Sequence, residues 1–333
     1  MKKLIILLIC LTSFTMEVQA NSYCVLGDDD NTVIEEKNMH ERQSVASISK
    51  IMTAIIAIEQ DELGDTWNVS NAVMKAHGSS IYLQKGQKVS MQSLLYGLLL
   101  RSGNDAAVEI ATRVSGSEEA FVKEMNRKAE KIGMKNTIFH NASGLDDEGE
   151  GNISTAYDMA ILMSYAMKND IFRTICGSKY YTSEWNYRWK NKNRLLFDYP
   201  FTTGGKTGFT KHAGRTLVTS ASNQQLETVV VTLGVPDDFK FHEQKHTEAF
   251  AKMKAITVLK KGTYHAGNHI FTIKQDIRVL TPREHPDEIE ASAEFKKNKL
   301  VVKVRKNDIT STYRITARKK PEKSFWKRVI PWI

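Results

Sequence analysis

A hydroxyl three residues before an amine is a sparse arrangement for attacking a carbonyl, and Ser47-Ile48-Ser49-Lys50 supplies it. On a helix this spacing sets both groups on one face, within hydrogen-bond reach. The helix N-terminus adds free N–H groups and a positive dipole end, which suit a developing oxyanion. Lysine at its ordinary pKa of ~10.4 is a poor base near neutrality, so the pair works only where burial and nearby positive charge lower it. Alone the motif is weak, because Ser324-Phe325-Trp326-Lys327 repeats it.

Two further segments carry reactive groups. In Ser102-Gly103-Asn104 the glycine allows a tight loop to present a hydroxyl and an amide to a cleft. In Gly204-Gly205-Lys206-Thr207-Gly208 small residues flank a cation, so a ligand's backbone can lie against a strand edge; the spacing is not that of a phosphate-binding Walker loop. A competing pattern is His242-Glu243-Gln244-Lys245-His246, the His-Glu-x-x-His of zinc peptidases. It lacks a third ligand, since no Glu stands between Glu248 and Glu284, and its flanks are polar. We read it as a partly exposed helix face.

The elements that must position these groups follow from periodicity. Residues 22–26 and 32–35 flank the turn-rich Gly27-Asp28-Asp29-Asp30-Asn31 and predict a hairpin. The run after Ser47 is apolar nearly all round, which predicts a buried central helix. Residues 72–168 read as mainly helical, with Gly133 as a C-terminal cap and Thr155-Ala156-Tyr157-Asp158 as a capping box for a helix through Met167. Residues 216–222 and 228–233 read as antiparallel strands, 204–208 as a glycine-rich loop before them, and 241–260 as a closing helix. Strands at both ends around a helical middle indicate an α/β (α+β) domain whose sheet gathers distant segments. Residues 262–268 read as a linker to a small all-β module with strands at 270–273, 277–280, 289–295, 300–304 and 311–317.

With 333 residues, 41% hydrophobic, 26% charged and 6 Pro against 19 Gly, the chain is neither collagen-like nor low-complexity, and it can bury a sizeable core without metal or disulfide staples. Lys2, Lys3, an apolar run from Leu4 to Cys10 and Val18-Gln19-Ala20 form a secretory signal peptide over 1–20, too short to span a membrane. The mature chain then starts near Asn21, outside the cytoplasm. Cys24 and Cys176 read as two separate buried thiols. The net charge of +9 favours anionic partners, and much of it sits in residues 318–333. There Arg318, Lys319, Lys320, Lys323, Lys327 and Arg328 stand beside an arc of Phe325, Trp326, Val329, Ile330, Trp332 and Ile333, the pattern of an interfacial membrane anchor. Tyr180, Tyr181, Trp185, Tyr187 and Trp189 read as aromatic packing beneath a loop, with a glycan groove as the rival reading.

In order and context the three reactive segments resemble the penicillin-recognising Ser/Lys acyl-transferases, and among them the D-alanyl-D-alanine carboxypeptidases of the low-molecular-mass penicillin-binding proteins (peptidase S11). Matching text extends to Asn141-Ala142-Ser143-Gly144-Leu145, Ser154 to Ala160, and Phe209-Thr210 with Ala213-Gly214, so the resemblance covers about residues 23–260. Val45 and Arg215 depart from the family's usual residues. The resemblance implies a β-lactamase/transpeptidase-like domain over 21–262, with an antiparallel sheet flanked by helices and an all-helical subdomain. It implies that Ser47 attacks the penultimate D-alanine carbonyl of a peptidoglycan stem pentapeptide, with Lys50 as base and Ser102 relaying protons. Asn104 then holds Lys50 and the substrate amide, Lys206 and Thr207 receive the terminal carboxylate, and the N–H groups of Ser47 and of Phe209, after Gly208, form the oxyanion hole. It further implies no metal or cofactor, β-lactams as covalent inhibitors, no nucleic-acid partner, and a place at the outer face of the cytoplasmic membrane or in the cell wall. A β-lactamase or transpeptidase shares the fold, but no Glu-x-x-Leu-Asn segment offers a deacylating Glu. A zinc peptidase and a non-enzymatic wall-binding protein are the remaining alternatives.

Overall fold

A computed structural model of the chain describes residues 22–60, 63–146, 151–266, 269–296, 299–316 and 318–319. The leader at 1–20, the second Ser-x-x-Lys and the tail beyond Lys319 lie outside the described residues. The expected hairpin forms from β1 (Ser22–Gly27) and β2 (Thr32–Lys37). It joins β3 (Thr202–Thr210), β4 (Gly214–Ser222) and β5 (Glu227–Leu233) in an antiparallel sheet of order β2-β1-β5-β4-β3. Pairing of β1 with β5 is what brings the chain's beginning to its far strands. The segment 204–208 is therefore inside an edge strand, not in a loop: its register against β4 runs from Gly204 opposite Ser220 to Gly208 opposite Thr216. Glycine's weak strand propensity hides such a strand from a sequence reading.

Helices cover both faces. Val229, Val231 and Leu233 face a large core that includes α1 (Lys50–Gln60), which is buried from Lys50 to Ile58 as its all-round apolar pattern predicts. Around α1 pack α2 (Asn104–Ser115), α3 (Glu118–Ile132) and α4 (Ala156–Met167). Gly133 ends α3 with φ 91°, and Thr155 caps α4 by accepting the Asp158 N–H at 3.0 Å, as the sequence anticipates. On the opposite face lies α5 (Asp238–Lys252), against Val25 and Val230 through Ala249.

The closing helix is shorter than its 241–260 pattern. It ends at Lys252, and β6 (Met253–Leu259) pairs with the strand that begins at Ile277, because Ile256-Thr257-Val258 is β-branched and Met253 packs with Leu226 and Leu280. Residues 262–266 of the expected linker are likewise a strand: β7 (Gly262–Ala266) pairs with β8 (His269–Ile273). β9 (Ile277–Pro282) is the partner of β6, and β10 (Ile289–Lys296), β11 (Lys299–Lys306) and β12 (Ile309–Thr316) form a three-stranded sheet. The aspartate turn of the first hairpin holds this β-rich part. Asp30 accepts the Leu280 N–H at 3.0 Å, Arg278 lies 3.3 Å from Asp29, and Lys306 donates to Thr32 Oγ1 at 2.6 Å. Gly27 lies so close to Leu280 that a Cβ there would meet its side chain at 2.1 Å.

Candidate active site

Ser47 sits in a 3₁₀ turn, Ala46–Ser49, that leads directly into α1, rather than in the α-helix itself. The turn is fixed from three directions. Thr216 of β4 donates to Val45 O at 3.1 Å, Ser49 Oγ donates to Ala46 O at 2.8 Å, and Asn152 Nδ2 donates to Ser49 Oγ at 3.0 Å. Ser47 remains half-buried and reachable, whereas Lys50 one turn on is fully buried. Lys50 Nζ lies 3.0 Å from Ser47 Oγ, 2.7 Å from Asn104 Oδ1 and 2.5 Å from the Ser143 carbonyl oxygen. Burial, then the charges of Lys206 and Lys192, hold its pKa well below the ordinary lysine value.

Ser102 is presented by a break in the preceding helix. Met91–Tyr96 continues as a π-type turn, Gly97–Arg101, and ends at Ser102 with φ 64°, a left-handed conformation uncommon outside glycine. Its hydroxyl accepts from Lys206 Nζ at 3.0 Å. Lys206, itself buried on β3, also donates to the Thr207 carbonyl at 2.6 Å, and burial followed by the Lys192 charge lowers its pKa to about 7. Asn104 begins α2 with its N–H on Ser79 O at 2.7 Å and its Nδ2 donating to His77 O at 2.6 Å, which fixes Oδ1 on Lys50. Gly208 carries β3 across the nucleophile: a Cβ there would lie 3.0 Å from Ser47 N and 2.3 Å from Thr216 Oγ1. Thr207 is half-buried, and Phe209 stands at the rim, 67% exposed.

Ser47, Lys50, Ser102, Asn104, Lys206, Thr207 and Gly208 thus meet, with Phe209 at the rim, and three contributors come in addition. The Ser143 carbonyl reaches Lys50 because Asn141 and Gly144 tie the loop: Asn141 Oδ1 accepts the Gly144 N–H at 2.6 Å, and Gly144, at φ 73°, leaves no room for a Cβ against Ala46 O. Asp105 accepts the N–H groups of Ile81 at 3.0 Å and Leu83 at 3.0 Å, pinning the segment that carries His77 and Ser79. Lys192 donates to Ser79 Oγ at 3.3 Å. The departure at Arg215 has its own partner, Asp238, at 2.6 Å.

The His-Glu-x-x-His pair lies elsewhere and is not the partly exposed face its flanks suggest. His242 and His246 are fully buried between α5 and the sheet. Thr219 Oγ1 meets His242 Nδ1 at 2.7 Å and His246 Nε2 at 2.8 Å, Thr232 meets His242 Nε2 at 2.9 Å, and Thr228 meets His246 Nδ1 at 2.7 Å. With every ring nitrogen on a threonine hydroxyl and burial lowering both pKa values, that of His246 to about 3, the pair is a neutral packing device. Among the described residues no group of three or more His, Cys, Asp or Glu is arranged to hold a metal ion. Cys24 and Cys176 are separate buried thiols, and Cys176 Sγ accepts the Gly205 N–H at 3.1 Å behind β3. Tyr181 stacks on Tyr96 with centroids 3.8 Å apart and neighbours Trp189, which Trp185 also meets, so these three rings are packing; Tyr180 and Tyr187 are exposed.

Residues 11–237 match the family described as D-alanyl-D-alanine carboxypeptidase, peptidase S11. The chain is 32% identical over 302 residues to D-alanyl-D-alanine carboxypeptidase DacF of Bacillus subtilis, covering 84% of this chain and 77% of that one. It is 29% identical over 359 residues to DacA of Escherichia coli K12, covering 95% and 87%. A D-alanyl-D-alanine carboxypeptidase structure from Mycobacterium tuberculosis superposes with TM-score 0.66 at 29% identity, over 70% of this chain and 91% of that one. Penicillin-binding protein 5 of Haemophilus influenzae shares the fold with TM-score 0.71 at 24% identity, over 90% and 97%. The α/β fold expected from the sequence is therefore that of the penicillin-binding proteins, and the chain belongs to the D-alanyl-D-alanine carboxypeptidase family, peptidase S11.

Proposed function

We propose that Ser47 is the nucleophile with which this D-alanyl-D-alanine carboxypeptidase removes the terminal D-alanine from peptidoglycan stem peptides. The observation that carries the proposal is the environment of Lys50. A neutral amine has two N–H donors and one lone pair. Asn104 Oδ1 and the Ser143 carbonyl can only accept, so they take both N–H groups and leave the lone pair for the Ser47 hydroxyl. Burial beside two other lysines favours that neutral form.

The steps follow from this geometry. Ser47 Oγ attacks the penultimate D-alanine carbonyl while its proton passes to Lys50 Nζ. The oxyanion is held by N–H groups where β3 crosses Ser47, those of Ser47 and Phe209, at ~3 kcal/mol per donor. The C–N bond breaks, and the leaving amine takes the proton held by Lys50 by way of Ser102, which returns Lys50 to its neutral form. Water then attacks the ester, gives a proton to Lys50, and Ser47 leaves with its hydroxyl restored. Lys206 and Thr207 receive the free carboxylate, whose charge offsets the cost of keeping Lys206 protonated in a buried place. β-Lactams acylate the same hydroxyl. Release of D-alanine from a soluble pentapeptide tests the assignment: Ser47→Ala abolishes it, and Lys50→Ala lowers kcat/KM by roughly 10²–10⁴-fold. Release by Ser47→Ala at the wild-type rate would remove Ser47 from the reaction.

The enzyme acts on the cell wall, and we infer further that it is exported by the leader at 1–20 and rests on the outer face of the cytoplasmic membrane through its tail at 318–333. The basic and aromatic composition of that tail supports this reading. Arg318 and Lys319, at the start of the expected tail, pair with Ile270 and His269, so the deletion begins after them: removal of residues 320–333 frees the protein from membranes, and unchanged sedimentation refutes the anchor. We also propose two domains, 21–262 and 268–317, with the pairing of β6 to β9 favouring a boundary nearer Lys252.

A further inference from the structure

From Arg188 to Arg194 the chain alternates cations that face solvent with residues that are buried: Arg188, Lys190, Lys192 and Arg194 are exposed, and Trp189, Asn191 and Asn193 are 8%, 5% and 1% exposed. Only Arg188–Lys190 is a strand; Lys192 lies in a bend and Arg194 has helical φ/ψ at the start of the short helix Leu195–Asp198, so four positive charges follow one another along a segment that is extended only at its start. The buried residues fasten the row. Asn191 Nδ2 donates to Ser178 O at 3.0 Å, and Asn193 N–H groups close on Asn191 Oδ1 at 2.9 Å and Gly204 O at 3.4 Å. Aromatic rings support the cations from below: Arg188 lies 4.4 Å from the Tyr180 ring, and Lys190 lies 4.6 Å from that of Phe197. None of the four is in an ion pair among the described residues, so no neighbouring carboxylate neutralises their charge, and Arg194 lies 4.7 Å from the Phe239 ring. The row touches the site at its third member, Lys192, which meets Ser79, the residue whose carbonyl holds the Asn104 N–H.

We propose that this row is a docking track for the wall polymer that bears the scissile peptide. The proposal rests on the carboxypeptidase reading above, since each uncut stem of that substrate ends in a free carboxylate and a polymer of such stems is a polyanion. Lys206 and Thr207 suffice for one terminal carboxylate. Arg188, Lys190 and Arg194, three cations in no ion pair outside the site, match the repeated charges of neighbouring stems on the same polymer, and Lys192 connects them to the site that one stem enters. Electrostatic complementarity of this kind acts over about a Debye length and weakens with salt.

The test compares the full chain with the double variant Arg188→Gln/Lys190→Gln, whose residues lie outside the site. Binding to isolated insoluble peptidoglycan, from which covalently attached phosphate polymers have been stripped, is measured at about 0.05 M and about 0.5 M salt. We expect the variant to bind roughly three- to tenfold more weakly at low salt and equally at high salt, and Arg188→Lys/Lys190→Arg to bind as wild type. D-alanine release from a soluble pentapeptide and labelling by penicillin stay unchanged in both variants. Equal binding of wild type and the Gln variant at low salt overturns the track. So does binding that disappears when the phosphate polymers are stripped, or a loss confined to vesicles of anionic lipid. Failure of the wild type to take up penicillin refutes the reading of the site and is a separate result.

Discussion

Burial sets the protonation of both lysines in the site, and it does so to different effect. Lys50 has to be neutral to take the Ser47 proton, and its pKa is held well below the ordinary value; Lys206 has to be charged to hold a carboxylate, and burial lowers its pKa to about 7. Since kcat/KM reports the free enzyme, its pH profile is predicted to be bell-shaped, the acid limb from protonation of Lys50 and the alkaline limb near 7 from discharge of Lys206. A bound carboxylate raises the Lys206 pKa, so the alkaline limb of kcat lies at higher pH than that of kcat/KM. Coincident alkaline limbs remove Lys206 from carboxylate binding. Side chains of this kind are legible in sequence because type and spacing announce them, as Ser47, Lys50, Ser102, Asn104 and Lys206 do. The Ser143 carbonyl was not, because a backbone acceptor leaves no residue signature; Asn141 and Gly144, which aim it, were the only trace.

Elements bring those residues together through close backbone approaches. Gly208 is where β3 passes over the 3₁₀ turn of Ser47, and Gly208→Ala would place a Cβ 3.0 Å from Ser47 N and 2.3 Å from Thr216 Oγ1. The strand or the turn then has to shift, and displacements of that size at a reacting centre cost roughly 10²-fold. Acylation by penicillin is predicted to slow by about that factor while the protein stays folded; an unchanged acylation rate contradicts the crossing. Periodicity served well where burial is uniform, as in α1, and capping residues marked the ends of α3 and α4. It failed at 204–208, where glycine carries no strand signal, and at 253–259, where a helix and a strand share one apolar run. The His242/His246 pair misled for another reason: its hydrogen-bond partners, Thr219, Thr228 and Thr232, are supplied by strands whose placement only the fold decides.

At the scale of the whole molecule, the β-rich part from β6 onward is held to the catalytic sheet by the aspartate turn and by Leu280, which fills the space Gly27 leaves open. Leu280→Ala is predicted to cost about 2–5 kcal/mol of stability, seen as a lower Tm, because it empties a fully buried contact. Its rate of acylation by penicillin should equal that of wild type, since Leu280 packs with Leu226 and Met253 beside Gly27, at the opposite end of the strands from Thr216, which holds the turn of Ser47. The strands between 269 and 316 were readable in the sequence, but their attachment to the catalytic sheet was not, because turn-forming aspartates also read as solvent-exposed. The most direct measurement for the entire account is intact-mass analysis followed by peptide mapping after exposure to a penicillin. One adduct on the peptide containing Ser47, absent from the Ser47→Ala variant, is the predicted result; a folded wild-type protein that takes no label, or takes it on another residue, contradicts the account.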